Sequence, residues 1–89
     1  MIKVVAVSAR DDFSLDLKFA DGIAKRFDAK PYLEYEVFRE LKDLAYFKQV
    51  RVAFGTVQWL HEQDISPETL YLESVAITAA SSDDYGNAA

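Results

Sequence analysis

Cysteine is absent from this chain of 89 residues, and the absence excludes several kinds of site. Without thiolates the chain cannot form disulfides, use a cysteine nucleophile, or build a zinc ribbon or an iron–sulfur centre. Glycine occurs only three times, at positions 22, 55 and 86, which is too sparse for a phosphate-cradling loop. No apolar run approaches the roughly 20 residues that cross a bilayer, and the first residues lack the apolar core of a signal peptide. We therefore expect a cytoplasmic protein with no membrane attachment.

The length and the charge of the chain exclude further classes of protein. A chain of 89 residues allows one small domain and leaves no room for a two-domain enzyme. The formal net charge is -5, and residues 61–89 carry six acidic side chains and no Lys or Arg, whereas residues 1–60 are nearly balanced. An acidic block repels phosphate backbones and attracts basic partners, or it simply keeps a small protein soluble. We do not expect direct binding of nucleic acid.

The first third of the chain predicts three strands. Residues 2–9 (IKVVAVSA) are apolar and β-branched with little alternation, which is typical of a strand that pairs centrally or is covered on both faces. Residues 13–19 alternate strictly between apolar and polar side chains, so they predict a strand with one buried face. Residues 23–28 predict the strand that returns beside it.

An Asp-Gly pair between the second and third strands predicts a tight hairpin. A three-residue connection with Gly22 in the left-handed region pairs Leu15 with Phe27. It also places Lys25 opposite Leu17, where the aliphatic stem of the lysine can cover the apolar neighbour. We prefer this register because a two-residue turn would divide the large apolar side chains between both faces.

Residues 31–44 predict one amphipathic helix packed on the sheet, with Pro31 in its first turn. Apolar side chains recur at helical spacing on one face: Leu33, Val37, Phe38, Leu41 and Leu44. Carboxylates lie on the opposite, solvent-facing side: Glu34, Glu36, Glu40 and Asp43. We expect these carboxylates to solvate the helix and to carry out no acid–base chemistry.

Residues 47–54 and 57–61 predict a second hairpin, with Gly55 at the first central position of a type II′ turn. That turn pairs Phe54 with Val57 and places the large apolar side chains of both strands on one face.

A short helix follows at about residues 67–72, with Ser66 as its N-cap and Pro67 in its first turn. Residues 78–89 are small and polar without periodicity, and we expect a single domain at 1–74 followed by a flexible tail at 75–89. Together the elements predict an α+β fold: a small antiparallel sheet of two hairpin units and an N-terminal strand, one amphipathic helix and a short C-terminal helix.

Short motifs follow one another along residues 1–73 in a distinctive order: Phe19-x-Asp21-Gly22, Phe27-Asp28-x-x-Pro31, Phe38-x-x-Leu41, Phe47-x-x-Val50-x-Val52, Gly55-x-Val57-x-Trp59 and Asp64-x-x-Pro67-Glu68-x-Leu70-Tyr71. This ordered set resembles the bacterial family called domain of unknown function 2442. The resemblance implies a small α+β domain that occurs alone or in front of a helix-turn-helix domain. Stand-alone members look like one half of a two-gene pair similar to toxin–antitoxin modules. No catalytic activity is established for that family, so the resemblance transfers no active-site residues.

His61 is the single histidine and the first candidate for chemistry. A metal site would combine its imidazole with the carboxylates of Glu62 and Asp64, and serine catalysis would use it as the base for Ser66. Transition metals usually take several nitrogen or sulfur ligands, and this chain offers one imidazole and no thiolate. We therefore expect no metal, no cofactor and no enzymatic activity.

Phe27 and Trp59 raise the question of stacking on nucleic-acid bases, which requires basic surroundings. Basic side chains do cluster on the first hairpin: Lys18, Lys25, Arg26 and Lys30. Acidic side chains are interleaved with them, so we expect both aromatic rings to belong to the core.

We expect a non-catalytic interaction module that binds a partner protein as one half of a toxin–antitoxin-like pair. One alternative is a homo-oligomer, such as a homodimer, that pairs through an exposed strand edge. Another is a binder of a small ligand or a metal at Trp59, His61 and Asp64. The residues that we expect to contact a partner or ligand are Asp28, Trp59, His61, Asp64 and Tyr71. Asp28 and Asp64 each stand where a strand leads into a helix, so capping is their alternative role.

Overall fold

Two antiparallel sheets and several short helices make up residues 1–77, the part of the chain that the computed structural model describes. In chain order the elements are β1 (Val4–Ala9), β2 (Ser14–Phe19), β3 (Ala24–Asp28), two 3₁₀ helices (Lys30–Glu34 and Glu36–Lys42), α1 (Leu44–Phe47), β4 (Arg51–Ala53), β5 (Thr56–Gln58), β6 (Asp64–Ile65), α2 (Pro67–Glu73) and β7 (Val75–Ala76). The larger sheet has the order β1-β2-β3-β7, and the smaller sheet has the order β4-β5-β6. The predicted α+β fold class is confirmed.

The first hairpin has the predicted register. Leu15 pairs with Phe27, and Lys25 lies opposite Leu17. Gly22 has a φ of 90°, and its N–H donates to the carbonyl of Phe19 over 2.9 Å. The strict alternation of β2 therefore places one face in the core, where Leu15 is fully buried.

β1 is an edge strand, so the prediction that it pairs centrally was wrong. It pairs with β2 alone, and Val5 is 54% exposed. Only the start of β1 is covered: Val4 is buried, and its N–H donates to the carbonyl of Gly55 over 2.8 Å. The continuous apolar sequence of this strand thus reflects its contact with the second hairpin at one end.

The predicted continuous helix over 31–44 is replaced by the two 3₁₀ helices and α1. Tyr35 and Asp43 have extended ψ angles of 140° and 111°, which end each helical segment. Asp43 ends one segment and begins the next, because its carboxylate accepts a hydrogen bond from the N–H of Ala45 over 3.1 Å. Leu33 and Leu41 are buried as predicted, but Val37 is 62% exposed. Side chains three apart share a face in a 3₁₀ helix, and Val37 falls outside that spacing.

The second hairpin turns one residue earlier than predicted. Ala53 pairs with Thr56, so Phe54 and Gly55 are the two central residues, with φ angles of 55° and 75°. Positive φ at both positions is the type I′ pattern, not type II′. Val57 is paired with Val52 and not with Phe54. The predicted apolar face is therefore only half confirmed: Val57 and Trp59 are buried, but Val52 is 38% exposed and Phe54 has left the strand for the turn.

An aromatic contact joins α1 to the second hairpin. The prediction places Phe47 in a strand, but the residue ends α1 and its ring is fully buried. The rings of Phe47 and Trp59 lie 5.8 Å apart, and the ring of Phe13 lies 5.2 Å from that of Phe47. The Trp59 Nε1–H donates to the carbonyl of Phe47 over 2.8 Å, which satisfies the one polar group of a fully buried indole.

The short C-terminal helix is confirmed. The Ser66 hydroxyl accepts a hydrogen bond from the N–H of Thr69 over 3.2 Å, the predicted N-cap. The helix is held to the larger sheet by Lys25, whose Nζ donates to the Tyr71 carbonyl over 2.6 Å and lies 4.1 Å from the centre of the Tyr71 ring. Tyr32 holds the same helix to the first 3₁₀ helix, because its hydroxyl donates to Glu73, and this bond raises the pKa of Tyr32 to about 12.

The chain after α2 returns to the larger sheet. Val75 pairs with Arg26, so the first residues of the predicted tail form strand β7. Residues 78–89 of that predicted tail lie outside the described residues. Across residues 1–77, each helix is too short or too polar to cross a bilayer.

Replacing Gly22 with Ala tests the turn that sets the first hairpin. An added Cβ meets nothing within 4 Å, so the whole cost is the left-handed backbone. We expect Gly22→Ala to lower the free energy of unfolding by about 1 to 2 kcal/mol, and Gly22→Asn by less, because Asn tolerates that region better. Urea denaturation measures both. Equal stability of Gly22→Ala and the parent protein would contradict the assigned turn.

Candidate functional site

The predicted contact residues lie in separate parts of the fold. Trp59 is fully buried in the core, so no partner can reach its ring. Tyr71 is half-buried beneath Lys25, and its hydroxyl donates to Asp21 over 3.1 Å. Across residues 1–77, no side-chain hydrogen bond or ring contact joins any two of the five predicted residues. These five residues therefore do not form a common site.

Asp28 and Asp64 have different local roles. Asp28 is exposed, accepts a hydrogen bond from the N–H of Lys30 over 3.0 Å and pairs with the Nζ of that lysine. This is an Asx turn, in which the carboxylate accepts from the N–H two residues later, and it lies just before Ala29, the N-cap of the first 3₁₀ helix. Asp64 is exposed in β6, opposite Gln58, and the helix that follows is capped by Ser66 instead.

His61 belongs to a polar cluster with Glu40, Tyr46 and Gln63, which we call the His61 cluster. The Nδ1 of His61 lies 2.8 and 2.9 Å from the two oxygens of Glu40. Gln63 donates from Nε2 to Glu40 over 2.8 Å and accepts from the Tyr46 hydroxyl over 2.6 Å. The Tyr46 hydroxyl accepts in turn from the His61 N–H over 2.9 Å. These bonds tie the second 3₁₀ helix and α1 to the loop after β5.

The arrangement of the His61 cluster favours a structural role, in which it holds the second 3₁₀ helix and α1 against the loop after β5. The hydrogen bond from His61, followed by the one from Gln63, holds the pKa of Glu40 below its ordinary value. His61 and Glu40 are 59% and 50% exposed, so solvent screens their attraction. The imidazole lies against Glu40 and not against Glu62 or Asp64, the carboxylates that a metal site at His61 would have used. Residues 1–77 contain no group of three or more His, Asp or Glu side chains that could hold a metal ion.

Three of the four basic residues clustered on the first hairpin are paired with acidic or aromatic neighbours. Arg26 bonds Asp16 through two nitrogen–oxygen contacts of 2.6 and 3.2 Å. The Nζ of Lys25 lies over the ring of Tyr71, and Lys30 forms an ion pair with Asp28. The surface therefore alternates in sign, which does not suit a phosphate backbone.

The tip of the second hairpin carries a bulky side chain that combines positive φ with almost complete exposure. Phe54 is 93% exposed at a φ of 55°. With six neighbours it lines a cavity of about 570 Å³, and we call this surface the tip patch: Met1, Ile2, Lys3, Phe54, Gly55, Pro67 and Glu68. The start of the chain, the hairpin turn and the first turn of α2 thus meet at one place.

Folding does not explain why the residue at position 54 is a phenylalanine. A bulky side chain in the left-handed region costs about 1 to 3 kcal/mol. The ring offsets none of this cost by burial, since nearly all of it faces water. Strained and exposed residues of this kind concentrate at functional positions. The predicted turn places Phe54 inside a strand, and for this reason its exposure is not evident from the sequence.

Comparison with known proteins gives one family. A family model described as Protein of unknown function (DUF2442) matches residues 4–76. Searches of curated proteins and of solved structures return no significant match.

Replacing His61 with Ala tests the His61 cluster. We expect the pKa of Glu40 to rise toward its ordinary value, because the bond that lowers it most is removed. In the parent protein, the stabilisation from Glu40 is fully present above the pKa that Glu40 has in the unfolded chain. It is lost as the pH falls through the lower pKa that Glu40 has in the folded protein. His61→Ala should flatten this acid loss of stability. NMR titration of the Glu40 carboxyl and urea denaturation across the acidic range measure the two effects.

The matched control is Lys42→Ala, which removes the neighbouring exposed pair of Lys42 with Glu34. The control should leave the pKa of Glu40 unchanged. A pKa of Glu40 that stays low in His61→Ala would contradict this structural role of the His61 cluster.

Proposed function

The chain belongs to the DUF2442 family, whose description assigns no activity, and from this premise we propose that it is a non-catalytic module that binds another protein through the tip patch. The proposed setting is a toxin–antitoxin-like pair, in which the partner is the product of the neighbouring gene. The partner presents a concave apolar surface that receives the ring of Phe54.

The observation that carries the proposal is the combination of strain and exposure at Phe54. Asn or Gly would fill the first central position of a type I′ turn without strain. A phenylalanine there destabilises the free protein and gains its burial only when a second surface covers it. Aromatic rings that project from a rigid support are the usual anchors of protein interfaces, since they bring much apolar area at little cost in conformational entropy.

Replacing Phe54 with Asn separates folding from binding. We expect the free energy of unfolding to rise by about 1 kcal/mol, because Asn relieves the left-handed strain. We also expect the complex with the neighbouring gene's product to be lost, because the anchor is gone. Urea denaturation measures the first effect, and size exclusion of the two mixed proteins measures the second.

Val37→Asn is the matched control, because Val37 is also an exposed apolar residue but lies on the second 3₁₀ helix. It should leave the complex intact. The proposal is overturned if the purified proteins form no complex, or if Phe54→Asn binds as tightly as the parent protein.

A further inference from the structure

We infer that the tip patch binds a second copy of this chain, so that two tip patches pack against each other around a two-fold axis. The inference rests on the proposed function in one respect, which is that both use the tip patch. It adds that a second copy of this chain occupies the tip patch when the partner protein is absent.

The charges of the tip patch are self-complementary. Lys3 and Glu68 both line its cavity and both are exposed. Neither side chain belongs to any of the ion pairs within residues 1–77, so each is available to a second copy. A two-fold axis brings the same patch of two copies together, so Lys3 of each copy can meet Glu68 of the other. One cation and one anion are what such a reciprocal pairing needs.

The apolar part of the tip patch is also reciprocal. Phe54 projects from the turn, while Ile2 and Pro67 are partly buried and line the cavity beside it. In a two-fold arrangement the Phe54 ring of each copy lies over the apolar floor of the other. Both rings, 93% exposed in the single chain, then leave water together.

The edge of β1 is a poorer surface for a second copy. Its sequence, VVAVSA, carries no charge, and unprotected edges of this kind invite strand pairing. The hairpin turn closes one end of that edge, because the Val4 N–H is already bonded to Gly55. An incoming strand would meet the turn there, whereas the tip patch is open.

Charge reversal tests the two-fold pairing directly. Lys3→Glu and Glu68→Lys should each weaken self-association at least about tenfold, because each places like charges opposite one another at two points of the interface. A mixture of the two variants should restore association. In the mixed dimer the carboxylate introduced at position 3 of one variant meets the ammonium introduced at position 68 of the other, and the two unchanged side chains form the second pair. Sedimentation equilibrium of each variant and of the equimolar mixture measures this, and Phe54→Asn should also remove the dimer.

Two control variants keep the result specific. Lys42→Glu reverses a charge outside the tip patch and should leave the dimer intact. Val5→Lys places a charge on the exposed edge of β1 and should also leave it intact. The inference is overturned by a parent protein that is monomeric up to on the order of 1 mM, by single reversals without effect, or by a dimer that Val5→Lys abolishes.

Failure of the inference can be told apart from failure of the proposed function. A monomeric parent protein whose complex with the neighbouring gene's product still requires Phe54 overturns the inference and supports the proposed function. The opposite result is a dimer that the single charge reversals weaken and their mixture restores, together with a complex that Phe54→Asn leaves intact. That result supports the inference and overturns the proposed function. If both use the tip patch, adding the neighbouring gene's product must dissociate the dimer.

Discussion

The burial of β5 determines where the second hairpin turns, and the surface of the molecule depends on that turn. Val57 is fully buried, and the Thr56 hydroxyl donates to the carbonyl of Ile65 inside the smaller sheet. Thr56 must therefore belong to the strand and cannot occupy the turn. The turn falls on Phe54 and Gly55, where only the second residue is suited to positive φ. The buried strand thus imposes the left-handed backbone at position 54, but it does not require a phenylalanine there.

Local sequence patterns were sufficient to predict those elements for which several patterns indicate the same structure. The Asp-Gly pair allows two registers, and the alternation of β2 favours the one that pairs Leu15 with Phe27, which the structure has. The Ser66 cap with the proline after it likewise predicts α2. The 31–44 segment differs, because a spacing of three residues fits a 3₁₀ helix as well as an α-helix. Asp43 was the overlooked signal, since an aspartate before an apolar run is a strong helix N-cap.

The candidate sites depend on tertiary contacts that no local pattern contains. Glu40 and His61 are 21 residues apart and meet only because the second 3₁₀ helix packs beside the loop after β5. Lys3 and Glu68 meet at one cavity because the hairpin turn bonds to the start of β1. A glycine can occupy either central position of a two-residue turn, so the sequence around Gly55 permits both registers. The burial of β5 decides between them.

The most direct test of the tip patch as an interface is a map of amide chemical shifts during dilution of the protein. Concentration-dependent shifts should be confined to the amides of the tip patch, above all Lys3, Gly55 and Glu68, and they should follow one association curve. The amides of β3 and of the His61 cluster should stay constant. Shifts concentrated along β1 from Val7 to Ala9, or no shifts at any concentration, would contradict the account.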